Sequence, residues 1–258
     1  VALLLSLSAA SLRAGEARPV FVLHLPGIAG ERSLDRNFAR GLVQGGLADR
    51  VEIYDWTGSA PGLVALSDVK RNRAQAEHVA GMIVERRRTH PDERFILVGH
   101  SGGTGIGAWA LEQLPEGVSI DTFVLLAPAL SPGYDLSRAL ARVNGRAYAF
   151  TSPHDSAVLG AGTRLFGTID RVYVAAAGNV GFDVPESADA VQYGKLVEMP
   201  YRTEWMKQGN IGDHIGVMMR PFARDVLAPL LRSGELPTTR PTTAPGQTPA
   251  VPLEGATR

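Results

Sequence analysis

The chain predicts an α/β fold: a mostly parallel sheet with helices on both of its faces. Two observations carry this. Near-continuous apolar runs of strand length, such as Val20-Phe21-Val22-Leu23-His24-Leu25, alternate along the chain with stretches of helical spacing. One such run, Phe95 to Val98, stops abruptly at Gly99-His100-Ser101-Gly102-Gly103 and is followed directly by a helix-like segment ending at Leu114. Of 258 residues, 45% are hydrophobic and 20% charged, a balance that supplies a core for one large domain or two small ones.

The elements follow in order. The first strand, Val20 to Leu25, gives way to the loop Pro26-Gly27-Ile28-Ala29-Gly30, and a helix is expected from Ser33 to Leu47 on the spacing of Leu34, Phe38, Leu42 and Val43. Val51 to Trp56 reads as the second strand. The Gly/Pro/Ser loop 57–62 leads to a long helix, about Asp68 to Thr89, whose Arg86-Arg87-Arg88 end reads as a solvated face at a helix C-terminus. After the central strand and its turn, strands are expected at Asp121 to Leu126, Arg146 to Phe150 and Arg171 to Val174, with a short helix near Leu136 to Arg142. Residues 176–212 are weakly periodic, and Pro221 to Leu231 closes the domain as a helix. No internal repeat is evident, and one domain is expected over residues 18–232.

Both ends differ from this pattern. Val1 to Ala10 is apolar on all sides and too short to span a bilayer. With the small-residue sites Ser8-x-Ala10 and Gly15-x-Ala17 it reads as the h-region and cleavage sites of a signal peptide over residues 1–17, truncated because no basic n-region or initiator Met precedes it. An exported, periplasmic or secreted protein is the expectation. Residues 233–258, rich in Pro and Thr, lack the apolar content to fold and read as a disordered tail.

Lys+Arg and Asp+Glu number 26 each, so nothing points to nucleic acid. The absence of cysteine excludes disulfides, thiol nucleophiles and cysteine metal sites.

The chemistry lies in the turn after the central strand. Gly99-x-Ser101-x-Gly103 has the small neighbours that let a chain bend sharply and present a serine hydroxyl beside a helix N-terminus, where free N–H groups favour a developing anion. The same residues offer a rival pattern, Gly103-x-Gly105-x-x-Ala108, of dinucleotide-binding type. That pattern needs an acid at the end of the next strand, and Ala127-Pro128-Ala129 stands there. A serine needs a base, and the base needs an acid to fix its tautomer, in the chain order Ser, Asp/Glu, His. Of six histidines, only His154 and His214 follow Ser101. His214, in a glycine-flanked loop before the last helix, is the expected base. Asp155, just after the strand ending at Phe150, is the expected acid. Asp183 and Asp189 are alternatives, while Asp213 is adjacent to His214 and poorly placed to turn toward it. Gly102 N–H and Ile28 N–H are the expected oxyanion donors, with Ala29 next. His24 is expected to stabilise its loop. Phe182, Tyr193, Tyr201, Trp205 and Met206 stand as candidates for an apolar acyl pocket or for core, with Phe182, Tyr201 and Trp205 the substrate-binding choice.

The His24-to-Gly30 loop, the Gly99-to-Gly103 turn and the late Gly212-Asp213-His214 loop together resemble the α/β-hydrolase superfamily, esterase- and lipase-like members above all, over about residues 19–231. The resemblance implies a sheet of about eight strands and an acyl-serine mechanism on a small-molecule or lipid-like ester, with no metal or cofactor. The interval from Asp155 to His214 is long for that family, and residues 176–212 read as an insertion. Acyl transfer, thioester or amide cleavage would use the same triad. A non-catalytic binding protein on the same fold is the reading from another class.

Overall fold

A computed structural model describes residues 18–59, 61–155 and 163–234. The expected signal peptide and nearly all of the expected tail lie outside the described residues.

Strand alternation builds the core. In β1 (Val20–Leu25), Leu23 and Leu25 point to one face of the sheet and Val22 to the other. In β3 (Arg94–His100) the sets are Phe95 and Leu97 against Ile96 and Val98, and in β4 (Ile120–Leu126) Phe123 and Leu125 against Val124 and Leu126. This is the period of two expected of strands buried on both faces. With β2 (Val51–Ile53), β5 (Val143–Thr151) and β6 (Leu196–Pro200) they form a parallel sheet in the order β2-β1-β3-β4-β5-β6.

Helices cover both faces. Helix α1 (Ser33–Gln44) buries Phe38 and Leu42 with the C-terminal helix, residues 220–233, on one side. That last helix passes through a π-helical turn at Ala223–Leu227. The short helix α2 (Leu63–Ser67) precedes α3 (Val69–Thr89), which with α4 (Gly102–Glu112) covers the other side. Asp68 caps α3 by accepting the Arg71 N–H at 3.0 Å, and Ala76, Val79, Ala80 and Ile83 form its buried stripe. The arginines at its end are more engaged than a solvated face. Arg86 pairs with Glu93 through two contacts of 2.7 Å, and Arg87 bonds Asp121 and the Ser119 and Glu93 carbonyls.

Three expectations are corrected. Among the described residues the sheet has six strands rather than about eight. Residues 171–174 are not a strand: Arg171 takes a φ of 66°, and the Val172 N–H and C=O are both bonded to Thr168 rather than to a neighbouring strand. The stretch read as an insertion contains β6, which pairs with β5 from Ala147↔Leu196 to Thr151↔Pro200. A strand of five residues with Glu198 in its middle and proline at its end is tolerated at a sheet edge, where the proline needs no ladder partner. The second strand also ends early, because Asp55 accepts the Thr57 N–H and hydroxyl and turns the chain. Among the described residues, no helix is long and apolar enough to cross a membrane.

Candidate active site

Strand β3 ends at His100 and α4 begins at Gly102, so Ser101 occupies the corner between them with φ 51° and ψ −121°. For a residue with a Cβ this is strained backbone, worth on the order of 1–3 kcal/mol, and it persists because the surroundings hold it. The Ser101 N–H donates to Leu126 O at 2.9 Å. The Ser101 carbonyl accepts the Thr104 hydroxyl at 2.6 Å and the Thr104 N–H at 3.1 Å. The glycines of the motif are required by contact. A Cβ at Gly99 would lie 2.7 Å from Thr104 Cα, and one at Gly103 would press on the Leu25 carbonyl and lie 2.5 Å from that of Pro26. The helix can therefore start directly against the loop that follows β1.

His214 and Asp155, 59 residues apart, meet across the site. The His214 Nδ1–H donates to Asp155 Oδ2 at 2.6 Å, and Asp155 is only 3% exposed. Asp155 follows β5, and the His214 loop follows the β6 edge, so the parallel sheet places both beyond the same strand ends as Ser101. With the proton on Nδ1, the Nε2 lone pair of His214 is left to accept one. Asp183 and Asp189 lie elsewhere. Both are exposed; the Asp183 N–H donates to Pro132 O, and Asp189 caps the short helix Ala190–Tyr193. Among the described residues the buried Asp213 Oδ1 has no hydrogen-bond partner, and a Cβ at Gly216 would lie 3.0 Å from it. The ring of His154 packs edge-on against Tyr201 at 5.3 Å.

The loop after β1 forms a turn closed by the Gly30 N–H to Gly27 O bond at 3.0 Å. Its Pro26 and Ile28 carbonyls are taken up on the far side, by the Trp56 indole N–H at 2.7 Å and the Gly62 N–H at 2.6 Å. Among the described residues the Ile28 N–H has no acceptor. The Ile28 side chain lies over Gly102, where an added Cβ would come within 2.8 Å of Ile28 Cγ2 and 3.2 Å of Trp56 Cζ2. The two expected donor segments are thus in contact. His24 is fully buried, bonded through Nε2 to Asp35 Oδ1 at 2.9 Å. The other Asp35 oxygen accepts the Arg32 N–H that opens α1. Burial opposes ionisation of Asp35, but the His24 hydrogen bond and charge, with the Arg32 N–H, bring its carboxyl below the usual range.

The expected acyl-pocket residues are not brought together. Phe182 packs with the core on the α3–α4 side, whereas Tyr201 and Trp205 belong to the opposite face. There Trp205 contacts Phe150 and Phe222 with ring separations of 5.9 and 5.3 Å. Tyr193 is buried and accepts the Leu136 N–H, while Met206 is 56% exposed. Tyr193 and Trp205 are core, and Phe182 and Tyr201 are partly buried against it.

Three residues at the site were missed. Trp56 braces the loop after β1 through its bond to Pro26 O, yet in the sequence it only ends an apolar run. Asn210 shapes the His214 loop by accepting the Gly212 N–H at 2.9 Å, a turn role that an asparagine among glycines signals. His100 fills the unspecified position of the serine motif. It is buried, its Nε2 lies 3.1 Å from the His214 carbonyl, and its ring centroid lies 5.0 Å from that of His214. Burial foremost, then the nearby His214, lowers its pKa to about 3. Among the described residues no cluster of three His, Cys, Asp or Glu side chains is arranged to hold a metal ion.

A family model described as the alpha/beta hydrolase fold matches residues 19–162, more than half of the chain. No curated protein matches. Among solved structures, lipase B from Aspergillus fumigatus is 17% identical with a TM-score of 0.49; the match covers 88% of this chain and 56% of that one. A dienelactone hydrolase from Anabaena variabilis is 14% identical with a TM-score of 0.47, covering 85% and 88%. A cutinase-like protein from a Cryptococcus species is 10% identical with a TM-score of 0.43, covering 82% and 93%. The chain therefore spans little more than half the length of the Aspergillus lipase.

Proposed function

The chain belongs to the α/β-hydrolase fold family, and from that premise we propose that it is a serine hydrolase cleaving carboxylic esters through an acyl-serine intermediate. The observation that carries the reading is the 2.6 Å His214–Asp155 hydrogen bond, with the His214 backbone oxygen 3.1 Å from the ring of His100, the residue before a serine held at φ 51°. In this reading Ser101 Oγ attacks the ester carbonyl as His214 Nε2 takes its proton, while Asp155 holds the Nδ1–H tautomer and stabilises the imidazolium. The oxyanion is bound by the Gly102 and Ile28 N–H groups, at the N-terminus of α4 where the helix dipole adds to the field. His214 then returns the proton to the departing alcohol. Water, deprotonated by the same imidazole, releases the acid and restores Ser101.

The test is hydrolysis of a series of p-nitrophenyl esters of increasing acyl length by the wild type and by Ser101→Ala. Turnover by the wild type that disappears in the variant supports the proposal. An inactive wild type over the whole series, or an active Ser101→Ala, overturns it.

A further inference from the structure

The middle residue of Gly99-His100-Ser101 is left open by the nucleophile motif, and a bulky ring there has no role in making the turn. In this chain the ring touches all three segments of the site. It is carried on the last residue of β3, one position before Ser101. Its Nδ1 edge lies under the oxyanion loop, where a Cβ at Gly27 would come within 3.2 Å of Nδ1. Its Nε2 lies 3.1 Å from the backbone oxygen of His214.

We propose that His100 is a positioning residue for the base: its Nε2–H donates to the His214 carbonyl and ties the His214 loop to the strand that carries Ser101. The proposal rests on the reading of His214 as base. Residues 209–215 contain no regular strand or α-helix. Among the described residues, the other hydrogen bonds of this loop are local: the Gly209 N–H to Met206 O, the Asn210 N–H to Trp205 O, the Gly212 N–H to Asn210 Oδ1, the Gly216 N–H to Asp213 O and the Met218 N–H to Ile215 O. Among the described residues, two bonds reach from the loop toward the sheet. Asp155 fixes the ring of His214, and His100 fixes its backbone, over a sequence separation of 114 residues. A ring held at one end only would swing about its Cα, and a displacement near 1 Å is enough to lose about a hundredfold in rate.

The chemistry of the partner settles the tautomer. A carbonyl only accepts, so His100 carries its proton on Nε2 and leaves Nδ1 bare toward Gly27. The charged or titratable groups around it are His214 with Asp155 behind it on the loop side, His24 on β1 and Asp35 on α1. Buried among them, His100 stays neutral at working pH and does not compete with His214 for the serine proton.

Two variants and one spectrum test this. Gln places an amide N–H near the position of Nε2; Met has similar reach and no donor. His100→Met is expected to lose about ten- to a hundredfold in kcat with KM unchanged, and His100→Gln to recover to within about fivefold of wild type. In ¹⁵N spectra of the wild-type imidazoles, His100 is expected as the Nε2–H tautomer, neutral between about pH 8 and 5. That readout needs no turnover, so failure of the ester hydrolase reading, seen as an inactive wild type, is distinguishable from failure of the tie. The proposal is overturned if His100 carries its proton on Nδ1 or titrates near its ordinary value. It is equally overturned if His100→Met keeps wild-type kcat, or if His100→Gln is as impaired as His100→Met.

Discussion

Replacing Asp155 with Asn changes one oxygen to an amide and leaves the volume intact, so its effect isolates the acid's electrostatic role. Asp155 is 3% exposed and receives the His214 Nδ1–H at 2.6 Å, a length typical of a strong charge-assisted bond. The ground-state loss alone is about 1.5–3 kcal/mol, the usual worth of a hydrogen bond to a charged group. The kinetic loss is larger. An amide NH₂ in place of that oxygen can donate to Nδ1, which moves the imidazole proton to Nε2 and leaves no base facing Ser101. A tautomer inversion of this kind in a Ser-His-Asp triad lowers kcat by about 10⁴-fold, equivalent to about 5.4 kcal/mol of transition-state stabilisation. KM should change little, because Asp155 sits behind the base. The control is Asp183→Asn: that side chain is exposed and remote from His214, and the variant should keep kcat within about twofold. Steady-state kinetics on a p-nitrophenyl ester, with circular dichroism to verify folding, measures both. If Asp155→Asn is folded and retains kcat within about tenfold of wild type, the acid assignment is wrong.

Other outcomes follow from the same contacts. Trp56→Phe keeps the packing over Gly102 but leaves the buried Pro26 carbonyl without its 2.7 Å donor; denaturant unfolding should show a loss of about 1–3 kcal/mol, and kcat should fall by about tenfold at unchanged KM as the oxyanion loop loosens. Gly103→Ala drives a methyl into the Leu25 and Pro26 carbonyls, which cannot move without shifting β1, and should cost about 1–3 kcal/mol of stability together with most of the activity. Stability should also fall in acid. His100 is held near a pKa of about 3 in the native state against about 6.5 when unfolded, so between those values the unfolded chain alone binds its proton. The stability contributed is complete above about pH 6.5 and is lost as pH falls toward 3; at about pH 4.5 the loss from this group is about 3 kcal/mol, and urea titrations of His100→Gln should lack that component. Export is proposed from the apolar leader: mass spectrometry of the mature protein should find the leader removed near Ala10 or Ala17, and an intact Val1 would count against it.

What the sequence made legible was what depends on local pattern. Val20–Leu25 and the central strand are apolar on both faces, and a parallel strand in mid-sheet has that composition for a physical reason, since both of its faces are covered. The turn at Ser101 was readable because a sharp strand-to-helix corner admits almost nothing but small neighbours. The order Ser101, Asp155, His214 was readable because a parallel sheet delivers successive loops to one edge. The misses share a cause as well. Residues 171–174 have strand composition, Arg-Val-Tyr-Val, but the extended run is broken by the positive φ at Arg171 and by Thr168 taking the Val172 backbone groups, neither of which shows in a window of hydrophobicity. Strand β6 sits at the sheet edge, and with its interrupted pattern it gave too little periodicity to stand out.

The site shows the same division. Local readings singled out Ser101, Asp155 and His214, but not the contacts that hold them. Gly107 lets α4 lie close to the sheet, with Phe123 and Leu97 against it, whereas a side chain at Gly105 would strike Ile169 from the segment after β5. Trp56 and His100 act through the Pro26 and His214 backbone carbonyls, 30 and 114 residues away. No spacing rule reaches that far. The aromatics of residues 182–205 could not be sorted between pocket and core from the sequence, because burial against opposite faces of a sheet is a property of topology, and the topology there depends on β6.

The central claim is that Ser101 is an activated nucleophile. Its most direct test is to treat the intact protein with a fluorophosphonate and locate the adduct by peptide mass spectrometry. One adduct per chain is expected, on Ser101, formed at a rate that falls steeply in His214→Ala. An unlabelled protein, an adduct on another residue, or labelling of Ser101 that is indifferent to His214 would contradict it.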